Sequence, residues 1–350
     1  MSDGLPLSEL KVIAPNLKRR LSGVTSTVIR LVPLQARSFP IRATGPGLPA
    51  DVPTIPLASC FVLPRNRWRV WHARRNTEMA LGLVLRVLFR RKLKLLFTSA
   101  AQRQHTGFTK SLIARMDGLI ATTGKAASYL DHPSSVIMHG VDTTVFFPTD
   151  DQAALKAHLG FGAGPLIGCF GRIRHQKGTD VFVDALCRLL PDHPDVQAVI
   201  LGRALPKEQG FLDELKSRIS AAGLSSRVHF RGEVEWQEVV AHYRALDLYI
   251  APQRWEGFGL TPLESMASGV PVLATRVGAF DEIVVPGLTG EIVPIGDIDA
   301  LAEAMMRWLG DPAKLAAARL DCRAHVTGNF AIEGEAGRII EVYERLLANT

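Results

Sequence analysis

Short β-rich runs return at regular intervals between stretches of helical periodicity, and this alternation limits the chain more than any other feature. In the first half the runs are 12–14, 68–71, 94–98, 118–122 and 135–139; in the second they are 166–170, 197–201, 228–231, 248–251, 271–275 and 291–294. Apolar residues at helical spacing fill 181–190, 208–222 and 262–268. Strand and helix in turn predict parallel sheets covered by helices on both faces. At about 150 residues per domain, 350 residues make roughly two such units. The expected fold class is therefore α/β, with two doubly wound, Rossmann-like domains facing across a cleft. The segment PTDDQAALKAHLGFGAGP, with Pro148 at its head and a Gly/Pro-rich end, is the seam. It divides the chain into 1–148 and 149–350, with a last helix over about 331–348 that can pack back on the first domain. Ligands of such sheets sit outside the carboxyl ends of the strands, so the informative residues should follow strands.

Composition closes off other classes. With 47% hydrophobic and 21% charged residues the chain is globular, not disordered. Its longest unbroken apolar stretch, 79–85, is far short of the roughly 20 residues a membrane-spanning helix needs. The start, MSDGLPLSELK, carries acids and lacks a basic segment followed by an apolar one, so no signal peptide is expected and the cytoplasm is the expected location. Cys60, Cys169, Cys187 and Cys322 are scattered, which predicts buried thiols and neither disulfides nor a zinc ribbon.

The net charge of +7 hides a division. Residues 1–150 hold 21 Lys+Arg against 8 Asp+Glu, whereas 151–350 hold 20 against 26. Nucleic acid, a phospholipid surface and a phosphorylated substrate all suit the basic half, and so does a merely solubilising surface.

Two segments carry chemistry. GRIRHQKG, residues 171–178, follows the run 166–170 and places Arg172 and Lys177 at the mouth of a helix beside free backbone N–H groups, a phosphate-binding arrangement without the P-loop pattern. The second, APQRWEGFGLTPLESMASGVPVLATRVGAFDEIV, follows the run 248–251. Gly257 and Gly259 let the backbone approach a ligand, and a helix starting at Leu260 presents unpaired N–H groups. Glu256 and Glu264 lie eight residues apart, Glu264 about two turns into that helix. Carboxylates beside a phosphate site make sense if they accept hydrogen bonds from sugar or ribose hydroxyls, so the ligand is read as a nucleotide sugar.

These residues resemble a family. EGFGLTPLE matches the Glu-x7-Glu motif, and GRIRHQKG the Gly-Arg-x4-Lys-Gly motif, of retaining glycosyltransferases of the GT-B fold, family four. HFRGEV, DLYIAP, ASGVPVLAT, VGAFDEIV and GLTGEIVP follow in the family's order. In the first half, IAPNLKRRLSGVTSTVIRLVP, VWHARRNTEM and FTSAAQRQHTGFTKSLIARMDGLIATT are similar to the bacterial lipopolysaccharide core mannosyltransferases of that family. The resemblance implies that Arg172 and Lys177 bind the donor diphosphate and stabilise it as it leaves. It also implies that Glu264 binds the ribose, and that Glu256 with the N–H groups of Phe258, Gly259 and Leu260 holds the hexose and phosphate. By the same resemblance Arg231 and Gly232 line the base pocket, and Gly23 belongs to a glycine loop near the reacting centre. The implied reaction moves a hexose, mannose from GDP-mannose, onto the lipopolysaccharide inner core. A UDP-hexose donor, another glycolipid or polysaccharide acceptor, and a nucleotide-sugar epimerase of the same fold are the alternatives.

The chain departs from that pattern in places. Many relatives carry a histidine at the end of the strand that here reads LLFTS, where it contacts the transferred sugar; this chain has Thr98 and Ser99 there, and Thr98 is an acceptor-side candidate. His72 and His105 are acceptor-side candidates and substitutes by proximity only, each more often a structural histidine. Asp297 and Asp299 form an Asp-x-Asp between a strand and a helix and read as an N-cap; with Arg172 and Lys177 supplying positive charge, neither a metal nor another cofactor is expected. Lys18, Arg19, Arg20, Arg74, Arg75 and Arg103 are expected to gather near the acceptor side and attract an anionic glycolipid. The stretch 76–94 reads as one helix, either docked on the cytoplasmic membrane surface or buried as a crossover with snorkelling arginines. Nucleic acid is not an expected partner of this family.

Overall fold

The computed structural model describes residues 5–19 and 23–349. They form two units, one of residues up to His139 together with the C-terminal segment from Ile332, the other Gly140–Ala331.

The first unit is built on seven strands: β1 (Val12–Pro15), β2 (Ile41–Thr44), β3 (Thr54–Ile55), β4 (Arg69–Ala73), β5 (Leu93–Ser99), β6 (Gly118–Ala121) and β7 (Ser135–Val136). They pair in parallel in the order β3-β2-β1-β4-β5-β6-β7. Every residue of β1 and β4 is buried, as expected of strands covered on both faces. The helix Ile332–Ala348 returns to this unit because Ile332, Ala336, Ile339 and Tyr343 recur at three- and four-residue spacing, one stripe facing the core cluster of Val12, Ile41 and Val70. Each large side chain buried in such a stripe contributes roughly 1.5–3 kcal/mol.

Two expectations change here. The helix expected over 76–94 stops at Val87, because Arg90 takes φ 51° and Leu93 opens β5 opposite Arg69. β2 and β3 were not among the expected strands: one is four residues with an arginine inside, the other is two residues, too short for a period to show.

The second unit carries β8 (Leu166–Phe170), β9 (Gln197–Leu201), β10 (Val228–Gly232), β11 (Leu248–Ala251), β12 (Val272–Thr275) and β13 (Gly290–Val293), parallel in the order β10-β9-β8-β11-β12-β13. The chain enters and leaves this unit side by side, since Val141 and Ala331 form a parallel bridge. The crossing thus lies upstream of the Pro148 seam. Arg323 donates to the carbonyls of Phe146 (2.8 Å) and Thr143 (3.0 Å), and Arg244 to that of Val145 (2.9 Å), which ties this stretch into the second unit. Among the described residues no helix is long and apolar enough to cross a membrane.

Candidate active site

The two segments singled out in the second half converge at the carboxyl ends of β8 and β11. After β8 the chain makes a single turn of 3-10 helix, His175–Lys177, reverses at Gly178 (φ 69°), and enters the helix Thr179–Leu189. A Cβ at Gly178 would stand 1.9 Å from the Pro252 carbonyl oxygen, so only glycine lets the two loops approach this closely. Arg254 fastens them. Its guanidinium donates to Asp180 through both nitrogens (2.7 and 2.8 Å) and to the His175 carbonyl (2.7 Å). Its backbone N–H donates to the Gln176 carbonyl at 2.9 Å, and Gln176 Nε2 returns a bond to the Trp255 carbonyl at 3.2 Å. Burial alone would raise the Asp180 carboxyl, but the Arg254 hydrogen bonds outweigh it and hold it below the usual carboxylate range.

Lys177 Nζ then meets Glu256 Oε2, both side chains about one-fifth exposed. The ion pair orients both groups at the loop surface, while Arg172 is exposed at the start of the same loop. Glu256 Oε1 also accepts from the Gly257 N–H at 3.1 Å. Gly259 (φ 89°) leaves room for Phe280 and for the Glu256 stem, since a Cβ there would lie 2.3 Å from the Phe280 ring. Phe258 is buried and its carbonyl accepts from the Ala279 N–H at 3.0 Å. The loop from Glu256 to Leu260 is therefore a shaped, backbone-lined rim.

Glu264 sits in the first turn of the helix Thr261–Ala267, not two turns in, because that helix begins at Thr261 and has seven residues. Its Oε2 accepts from the Tyr243 hydroxyl at 2.9 Å. Tyr243 is buried against Phe170 (ring centroids 4.6 Å) and Tyr249 (5.4 Å). Burial first, then Tyr249 and Glu264, push its phenol well above the usual range, so it remains a donor. Arg231 lies over the Phe161 ring (5.1 Å) and donates to the Leu159 carbonyl (3.0 Å), at the edge of an open pocket of about 540 Å³ that also touches Val234, Gln237 and His242. Arg203, the charge after β9, is paired with Glu233 at 3.1 Å. Asp297 caps the helix Ile298–Leu309 through the Ala300 N–H, and Asp299 pairs with Arg188. Among the described residues no three His, Cys, Asp or Glu side chains gather as metal ligands.

In the first unit, Lys18, Arg19 and Arg103 are exposed and Gly23 starts the helix Gly23–Gln35, while Arg20 falls outside the described residues. Arg74 and Arg75 do not belong with the exposed cations. Arg75 is nine-tenths covered and donates to Glu78 (2.7 Å), Asn16 Oδ1 (2.9 Å) and Thr25 Oγ1 (2.9 Å). Glu78, fully buried, also accepts from the Arg74 and Leu17 N–H groups, so Arg75 supplies the countercharge that a buried carboxylate requires. Arg74 is itself buried and donates to the His72 carbonyl at 3.2 Å. His72 is fully buried between Tyr343 and Thr98, and burial, then Arg74, hold it well below the usual imidazole range. His105 Nε2 lies 3.2 Å from Ser99 Oγ, and burial, then Lys110, lower it as well.

Arg254, Asp180 and Tyr243 hold the candidate loops and Glu264 in place, and sequence reasoning did not identify them. Arg254 stood inside the quoted segment, but its partner lies 74 positions away, and Tyr243 looked like one more core aromatic.

The family model described as "Glycosyl transferases group 1" matches residues 133–323. The chain is similar to the lipopolysaccharide core biosynthesis mannosyltransferase LpsB of Rhizobium meliloti, 51% identical over 97% of this chain and 99% of that protein. It is 49% identical to the lipopolysaccharide core biosynthesis mannosyltransferase LpcC of Rhizobium leguminosarum bv. viciae, over 98% of each. Among solved structures, Anabaena HepE in complex with UDP covers 96% of this chain with a TM-score of 0.84 at 20% identity, a likeness of fold.

Proposed function

The chain belongs to the glycosyl transferases group 1 family, and on that premise we propose that it moves mannose from GDP-mannose, with retention, onto the inner core of lipopolysaccharide. The observation that carries the donor half is the junction of Lys177 with Glu256 between the two loops that Arg254 and Asp180 clamp together. It sets a cation for a diphosphate and a carboxylate for hexose hydroxyls side by side on rigid supports. The acceptor and the sugar rest on the two relatives at about half identity across nearly the whole chain.

The chemistry follows from charge. Negative charge on the β-phosphate grows as the glycosidic C–O bond lengthens. Lys177 and the exposed Arg172 lower the barrier by meeting that charge without reorganising. Glu256 orients the hexose through its hydroxyls. Glu264, aimed by Tyr243, accepts from the ribose hydroxyls. Fixed cations take the role a divalent ion plays elsewhere, and both aspartates of the Asp-x-Asp are already occupied, so we propose turnover without a metal. The exposed Lys18, Arg19 and Arg103 attract an anionic glycolipid at the cytoplasmic membrane surface, where the protein works as a peripheral enzyme.

A panel of GDP- and UDP-sugars, each with truncated lipopolysaccharide, tests this by nucleoside diphosphate release. GDP-mannose should give acceptor-dependent GDP. A UDP-hexose preference would replace the donor assignment, and a C2 epimer formed without acceptor would replace the reaction.

A further inference from the structure

Hydrogen bonds of fixed direction run through the core of the first unit to its strand ends. They start at Arg74, whose guanidinium has donors only. Tyr343 has one proton to give, and His72 Nδ1 lies 2.7 Å from its oxygen. Arg74 Nη2 faces the same nitrogen at 3.4 Å. With donors on that side Nδ1 must accept, and a fully buried imidazole beside a guanidinium stays neutral. The ring proton is therefore on Nε2, the tautomer the network dictates. It is donated to Thr98 Oγ1, 2.6 Å away.

The consequence falls on Thr98. A free hydroxyl gives or takes a hydrogen bond according to its partner, but here a lone pair is already held from below by His72. Among the described residues the Thr98 hydroxyl makes no second hydrogen bond. Thr98 is half-buried and next to last in β5, at the carboxyl end where ligands of parallel sheets bind.

We propose that Thr98 donates a hydrogen bond to a sugar oxygen of the substrate, and that His72 and Tyr343 are positioning residues that set the direction of this bond. The proposal rests on the glycosyltransferase reading. It gives the C-terminal helix a part in recognition, through one hydroxyl that the fold brings to Thr98 by way of His72.

The test combines kinetics with a measurement that needs no substrate. With GDP-mannose and truncated lipopolysaccharide, Thr98→Val should lower kcat/KM about tenfold, the worth of one neutral hydrogen bond, and Thr98→Ser should stay within about twofold of wild type. Tyr343→Phe should cost about threefold to fivefold alone and nothing further in the Thr98→Val background, because its effect passes through Thr98. Unchanged kcat/KM in folded Thr98→Val, or additive losses in the double variant, would overturn the proposal. Independently, side-chain ¹⁵N NMR of His72 should show a protonated Nε2 and a bare Nδ1; the opposite tautomer would overturn it whatever the substrate. Wild-type turnover in the same assay judges the transferase reading separately.

Discussion

Replacing Arg254 with alanine should unlock the loop that carries Lys177 while leaving both sheets intact. Three side-chain hydrogen bonds disappear: two to Asp180 and one to the His175 carbonyl. The pair is partly covered, with Arg254 26% and Asp180 14% exposed. Its loss should cost about 2 kcal/mol, between the near-zero worth of surface pairs and the 3–5 kcal/mol of breaking a buried one. The effect on rate should be larger, since displacing a charge-stabilising group by 1 Å costs about a hundredfold and Lys177 is three residues from Asp180. Acid titration adds a signed check. Asp180's folded pKa is depressed, so the stability it contributes is complete above the ordinary carboxylate value of about 3.9 and is lost as pH falls through the lower folded value. Without Arg254, burial is opposed only by the Asp180 backbone hydrogen bond and by nearby His175, so the folded pKa rises and the stability that Asp180 contributes at neutral pH shrinks. Urea unfolding at pH 7 and pH 4 should therefore show the variant's deficit shrinking in acid. A deficit that does not change with pH, or wild-type turnover in folded Arg254→Ala, would refute the reasoning.

Three further outcomes are expected. Alanine at Lys177 or Arg172 should cut turnover by roughly two to three orders of magnitude with the melting temperature little changed, because in the proposed mechanism these cations meet charge that grows in the transition state; steady-state kinetics with a thermal melt checks this. Activity should persist in excess EDTA, and a loss restored by manganese or magnesium would return the divalent ion to the mechanism. The acceptor KM should rise steeply between 0.1 and 1 M salt, where the Debye length falls from about 10 to about 3 Å, and Lys18→Glu with Arg19→Glu should reproduce that rise without changing the donor KM.

The legibility of this chain follows the range of its interactions. β8, β9 and β11 are short, largely apolar runs closed by glycine or proline, so the runs mark them to the residue, and β10, β12 and β13 lie within one residue of theirs. β2 and β3 lack such runs. The helix from Asn76 overran on paper because no proline or glycine stands after Val87; its stop is a left-handed arginine, which composition does not announce. Charge was misread where its partner is buried. Arg75 counted toward the basic surface although Glu78 three positions on neutralises it, and the i, i+3 spacing was the available signal. At the site, Lys177, Glu256 and Glu264 were visible as types at a spacing. What aims them was not, because Arg254–Asp180 and Tyr243–Glu264 are long-range pairs that only the fold brings together.

The central claim is hexosyl transfer from GDP-mannose to lipopolysaccharide core, and mass spectrometry with NMR of the acceptor product tests it most directly. Truncated core lipopolysaccharide incubated with the protein and GDP-mannose should gain the mass of one hexose, joined through an α-anomeric carbon as in the donor. An acceptor of unchanged mass beside free mannose or an epimerised sugar nucleotide, or a β-linked product, would contradict it.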